Sequence, residues 1–249
     1  MTREAEANDL QRDRPVLGPV FALCSGGCGS RYLVELLRAN GYPDAFHEKA
    51  PDLDRLGVAY HLGAADRPTA VERLAQTRAG VAFEASNRLF ALASPLREAF
   101  PTSVFIHLHR DPAESVRSIW SNPDIDEIVR MRRRFVEIVG PAAAETSTLD
   151  RICRYWAEIN RRILSDLEAV GGPWLSLSFD DLVAGEVDAL EAFLRWPLPI
   201  RRIAPQNEKP RLRERRRPPA AEWTAAERAT LRARCGDLAA ALGYASIPD

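Results

Sequence analysis

The sequence predicts an α/β protein of three layers, α/β/α, with helices covering both faces of a mostly parallel sheet. Three observations carry that prediction. Strand-length apolar runs alternate with stretches of helical periodicity along the chain. The structured part opens with a buried strand, a glycine-rich turn and a helix, in that order. Near its end the chain has an amphipathic helix that begins at its own capping box.

Taken in order, residues 1–17 are polar and charged and read as a flexible tail, with a single domain over 18–249. The apolar run Pro19 to Cys24 is the first strand, bounded by glycine on both sides. Ser25 to Gly29 form the turn, and Ser30 to Asn40 a helix with Leu33, Leu36 and Leu37 on one face and Gly41 as its C-cap. Ala45 to Glu48 is a short extended piece. A polar helix, Thr69 to Arg78, leads into a strand, Val81 to Ala85. A helix over Leu89 to Phe100 leads into the strongest strand, Ser103 to His109. Helical segments follow at Pro112 to Ser121 and Asp124 to Val139, then a linker, Pro141 to Ser147. A long helix runs from Asp150 to Val170, with Ile152, Trp156, Ile159 and Ile163 at helical spacing. Trp174 to Phe179 is the last strand. Thr224 and Glu227 form the capping box of the helix whose apolar face is Leu231, Cys235, Leu238 and Leu242.

Composition narrows the function classes. Hydrophobic residues at 46% and charged residues at 28% are ordinary for a folded protein and argue against disorder throughout. A net charge of −1 gives no global field toward nucleic acid or an acidic membrane. No apolar run reaches the roughly 20 residues of a spanning helix, and the N-terminus has no secretory h-region. Cys24, Cys28, Cys153 and Cys235 form neither a C-x-x-C pair nor a Cys/His cluster, so free thiols in a reducing, cytoplasmic compartment are expected. Oligomeric state is open.

The turn Ser25-Gly26-Gly27-Cys28-Gly29-Ser30 exposes backbone N–H groups at the positive end of a helix dipole, a geometry that binds phosphate-like anions. The same residues also suit a tight turn that binds nothing. No lysine precedes Ser30, as the loop of ATP and GTP enzymes requires, and Tyr32 stands where a dinucleotide fingerprint needs its third glycine. A second candidate anion site is Arg110-Asp111-Pro112 at the end of a strand, with Ser118 two helical turns on; the plain alternative is that Arg110 pairs with a carboxylate and Ser118 faces solvent.

Together these two segments resemble the PAPS-dependent sulfotransferases, which use 3′-phosphoadenosine-5′-phosphosulfate (PAPS) as donor. The family's first motif, roughly S-G-[RK]-S-G-[ST]-x-x-L, is matched in frame by Ser25 to Leu33, and its R-D-P-x5-S by Arg110 to Ser118. Weaker echoes are Tyr155-Trp156, Phe179-Asp180-Asp181-Leu182 and Leu242-Gly243-Tyr244. The resemblance implies a P-loop-like fold, a 5′-phosphosulfate on Gly26 to Ser30, and a 3′-phosphate on Arg110 and Ser118. It also implies a basic loop over the donor, drawn here from Lys209 or Arg211 to Arg217; a solvated flexible run is the plain alternative for that stretch. Gly27 departs from the pattern, where the family carries lysine or arginine, and Arg31 is the candidate substitute.

A sulfuryl group carries less charge than a terminal phosphoryl group, so its transfer needs positioning, hydrogen-bond donors and a base, with no metal. Glu48 is the favoured base and His47 the second. Topology returns them to the loop's edge at the end of the second strand, together with Ser86 and Asn87. Bacterial-type members of the family carry a similar His-Glu after the first helix; a surface His-Glu pair is the plain alternative. Trp156, His107 and His109 are expected to be packed or hydrogen-bonded. The acceptor, a sugar, lipid or small-metabolite hydroxyl, would lie against Ala50 to Asp66 and Pro123 to Ser147. Competing functions are a Mg²⁺-dependent kinase with Asp111 as metal holder, and a non-catalytic adenine-nucleotide-binding protein.

Overall fold

Alternate residues of the first strand face two different cores, and that division organises the whole molecule. The computed structural model describes residues 18–42, 44–49, 53–122, 124–131, 133–140, 146–195, 199–204, 218–245 and 247. Strand β1 (Val20–Cys24) is buried along its full length. Val20, Ala22 and Cys24 pack on one face of the sheet, Phe21 and Leu23 on the other.

Five strands form one sheet: β1, β2 (Ala45–His47), β3 (Phe83–Ser86), β4 (Val104–His109) and β5 (Trp174–Ser178). Their order is β2-β3-β1-β4-β5, and every pairing is parallel. All five strands therefore point their carboxyl ends at one edge, with β1 in the middle. The three-layer α/β/α arrangement expected from the sequence is the one observed, and the sheet is parallel throughout.

One face is covered by α1 (Ser30–Ala39) and by two helices after β5, α9 (Phe179–Ala184) and α10 (Asp188–Leu194). The other face carries α2 (Leu53–His61), α3 (Arg67–Arg78), α4 (Ala93–Ala99), α5 (Pro112–Trp120), α6 (Ile125–Met131), α7 (Arg133–Val139), α8 (Thr148–Val170) and α11 (Ala225–Ala241). Helix α8 is the spine of this layer and packs on α4, α5, α7 and α11. Its Trp156 is fully buried, as its helical spacing predicted.

Several boundaries moved for identifiable reasons. The helix expected over Leu89 to Phe100 begins only at Ala93, because Leu89 to Leu92 turn inward and are all buried. Phe179 belongs to α9, whose N-cap Ser178 accepts from the N–H groups of Asp180 and Asp181. Ser147, assigned to the linker, caps α8 through the Asp150 N–H. Helix α2 and the two helices after β5 were not assigned from sequence. The capping box at Thr224 and Glu227 forms as read, with both reciprocal bonds. Residues 1–17, Lys209 and Arg211 to Arg217 lie outside the described residues. Among the described residues, no helix is long and apolar enough to cross a membrane.

A buried ion pair ties β2 to the layer beneath. Arg78 Nε lies 2.5 Å from Glu84 Oε2, and both side chains are fully buried. Burial pushes the Glu84 carboxyl up and the Arg78 guanidinium down, each resisted by its partner. Glu84 Oε1 also accepts from the backbone N–H of Lys49 (3.1 Å), so the pair fixes the chain immediately after β2.

Candidate functional site

The loop between β1 and α1 rises from the middle of the carboxyl edge. Gly27 (φ 75°) and Gly29 (φ 86°) are both left-handed, and Gly29 is the N-cap of α1 with no side-chain cap. The N-cap of α1 therefore supplies no side-chain acceptor to the first-turn N–H groups. Each glycine also answers to a neighbour. A Cβ on Gly29 would stand 2.0 Å from the Phe179 ring, and one on Gly27 would stand 2.9 Å from the Ser115 carbonyl oxygen.

The two sequence motifs meet here. A Cβ at Gly27 would be 3.5 Å from Ser118 Cβ, and Arg110 Nη1 donates to the Gly27 carbonyl at 3.4 Å. Arg110 stacks over the Phe179 ring, 4.7 Å from its centroid, and donates from Nη2 to Glu114 Oε2 at 3.1 Å. Its Nε is 4.0 Å from Asp180 Oδ1. Glu114 is shared with Arg117. Asp111 caps α5 by accepting from the Glu114 N–H, and its own N–H donates to Asp180 Oδ2. Burial, then the nearby Asp180 and Glu114, raise its carboxyl above the usual range. Arg110 is thus held by carboxylates and Ser118 is exposed, as the plain alternative to an anion site has it.

Beneath the loop lies a buried polar chain. Asn160 on α8 donates from Nδ2 to Ser25 Oγ (3.4 Å), and its Oδ1 accepts from His107 Nε2 (2.8 Å). His109 contacts Tyr244 Oη at 2.6 Å through Nδ1 and Ser176 Oγ at 3.0 Å through Nε2. Burial pushes His107 down to about 4 and His109 to about 3, so both are neutral at physiological pH. They are packed and hydrogen-bonded, as their shared face implied. The four cysteines are free and buried. The neighbouring Cys28 thiol, then burial, push the Cys24 thiol up.

On the other side of β1 lie the ends of β3 and β2. Ser30 Oγ is 3.1 Å from His47 Nε2. His47 is lowered chiefly by burial; Glu48 opposes that shift, and Arg31 and Arg88 add to it. Glu48 sits at φ 51°, left-handed for a residue other than glycine, with its N–H on the Ala85 carbonyl. Its Oε2 is 3.2 Å from Arg88 Nη2. Asn87 Nδ2 would be 3.9 Å from a Cβ at Gly26, so the turn after β3 flanks the loop. Arg31 is exposed on the first turn of α1.

The edge thus divides at β1. Toward β4 and β5 lie Arg110, Ser118, Phe179 and Asp180; toward β3 and β2 lie Asn87, Arg88, His47 and Glu48. Sequence reasoning missed Arg88, and it named Phe179 only within an echo of the family, with no role at the loop. Arg88 was findable from the return of β3 to this edge, whereas the fit of Phe179 against Gly29 needs the fold. A cavity of about 240 Å³, lined by Arg154, Arg161 and Arg234 among others, involves none of these residues. No family model and no curated protein matches the chain.

Proposed function

We propose that the carboxyl edge binds PAPS and transfers its sulfuryl group to an acceptor hydroxyl. The observation that carries this reading is the meeting of the two candidate segments, Arg110 and Ser118 against Gly27, although about 80 residues separate them. In the reading, the N–H groups of Gly26 to Ser30 hold the 5′-phosphosulfate, and Arg110 with Ser118 the 3′-phosphate. The acceptor enters on the β2–β3 side and gives its proton to Glu48 as its oxygen bonds to sulfur. The bond from sulfur to the bridging phosphate oxygen breaks, releasing 3′-phosphoadenosine 5′-phosphate (PAP). Sulfuryl transfer of this kind asks for positioned donors and a base. The acceptor class is a glycan or small-molecule hydroxyl. Four free, buried cysteines support a cytoplasmic setting.

Calorimetric titration with PAP, AMP, ADP and Mg²⁺–ATP tests the reading. Metal-independent PAP binding, at least tenfold tighter than AMP and lost in Arg110→Ala, is the expected result. Preference for Mg²⁺–ATP would replace it with a kinase. PAP binding without turnover on any acceptor would leave a nucleotide-binding protein.

A further inference from the structure

The PAPS reading leaves one charge unanswered, and the inference drawn from it rests on that reading. During transfer, negative charge spreads over the sulfuryl oxygens and the leaving phosphate. The loop offers backbone N–H groups there, but position 27 has no room for a cationic side chain: its φ is 75°, and the Ser115 carbonyl and Ile119 crowd it. Two arginines lie near His47 on the acceptor side, Arg31 and Arg88. Arg31 is exposed. Arg88 is the less exposed of the two and already contacts the proposed base.

Strand β3 lies between β2, which ends at the proposed base, and β1, which ends at the loop. Arg88 follows β3 by two residues, and its backbone is pinned at both ends. Its N–H donates to Ser86 Oγ at 3.1 Å. Its carbonyl oxygen fills the space beside Gly57 on α2, where a Cβ would come within 2.4 Å. The side chain is only 23% exposed and is already aimed at the Glu48 carboxylate. A guanidinium has five N–H donors in a fixed fork, so the contact with Glu48 leaves others for a sulfuryl group.

We propose that Arg88 is the cation of the transfer step, gripping the sulfuryl oxygens of PAPS between the glycine-rich loop and Glu48. The acceptor oxygen bonds to sulfur, the bond from sulfur to phosphate breaks, and the acceptor proton passes to Glu48. Protonation of Glu48 then removes the competing carboxylate, and Arg88 turns fully to the sulfate ester being formed.

The test needs no acceptor, because PAP lacks the sulfuryl group that PAPS carries. Binding of both is measured by calorimetry for wild type and for the Arg88→Ala, Arg88→Lys and Arg31→Ala variants. Arg88→Ala should weaken PAPS by about tenfold to a hundredfold and PAP by no more than about twofold. Arg88→Lys should fall between, keeping a charge but not the fork, and Arg31→Ala should leave the PAPS-to-PAP ratio unchanged. The same ratio, compared between Glu48→Gln and the Glu48→Gln/Arg88→Ala double variant, should still drop, which removes repulsion from an unpaired Glu48 as the cause. Equal loss for PAP and PAPS, no loss, or transfer of the effect to Arg31→Ala would overturn the assignment while leaving the donor site standing. Wild type that binds neither nucleotide would overturn the PAPS reading, and the role of Arg88 with it.

Discussion

Glycine 29 and glycine 41 share nearly the same left-handed backbone, φ 86° and 90°, but have different surroundings. Nothing lies within 4 Å of a Cβ at Gly41, whereas the Phe179 ring occupies the same space at Gly29. Gly41→Ala should therefore cost about 1 kcal/mol, the backbone penalty alone, and Gly29→Ala clearly more, read by urea denaturation. Glu48 presents the converse case, a charged residue kept at φ 51° where glycine would be relaxed. Strain of about 1–3 kcal/mol at such a position persists only when its surroundings fix it. Here Ala85, Arg88 and, through Lys49, the buried Glu84 do so. Glu48→Gly should stabilise the protein yet abolish transfer. Glu48→Gln should lower turnover by about 10²- to 10⁴-fold with PAP affinity nearly unchanged. A Glu48→Gly variant that is both less stable and fully active would remove this residue from the chemistry.

Strand β4 shows what an element does beyond supplying one arginine. Its two edges pair with β1 and β5, and its two histidines face α8 and the segment after α11. Both are held neutral when folded, so the unfolded chain takes up more protons as the pH falls. Their contribution is complete above 6.5, the ordinary histidine value, and is lost as the pH falls through it toward about 4 for His107 and about 3 for His109. For His107 that loss is roughly 3 kcal/mol. Glu84 and Asp111, raised by burial, act in the opposite sense. The decisive measurement is the difference in the pH-dependence of unfolding between wild type and His107→Gln, which should have the shallower acid limb. The two-residue spacing made the shared face of these histidines legible in the sequence. Asn160 and Tyr244 as their partners were not legible, because each arrives from an element more than 50 residues away.

At the scale of the molecule, the alternation of strands and helices was enough to predict the layers and the parallel sheet, since each apolar run needs two covered faces. The edge that gathers Ser25 to Ser30, His47, Glu48 and Arg110 followed from parallelism alone. What did not follow was the neighbour relation of the strands. The order β2-β3-β1-β4-β5 sets the end of β3, with Arg88 two residues beyond it, between the ends of β1 and β2, and no local signal encodes that order. The hold of Asp180 on Arg110 was hidden for the same reason, whereas Glu114, four residues on, lay within reach of a local reading. That strand order also bears on how the chain is made. Strand β1 leaves the ribosome well before either of its neighbours, and β4 follows it by about 80 residues. At about 5–20 residues per second, an apolar strand with two open edges waits roughly 4–16 seconds for its second partner. The glycine-rich loop can take shape only after β4 docks, so slower synthesis at low temperature and a chaperone that shields strand edges should govern how much active protein a cell recovers.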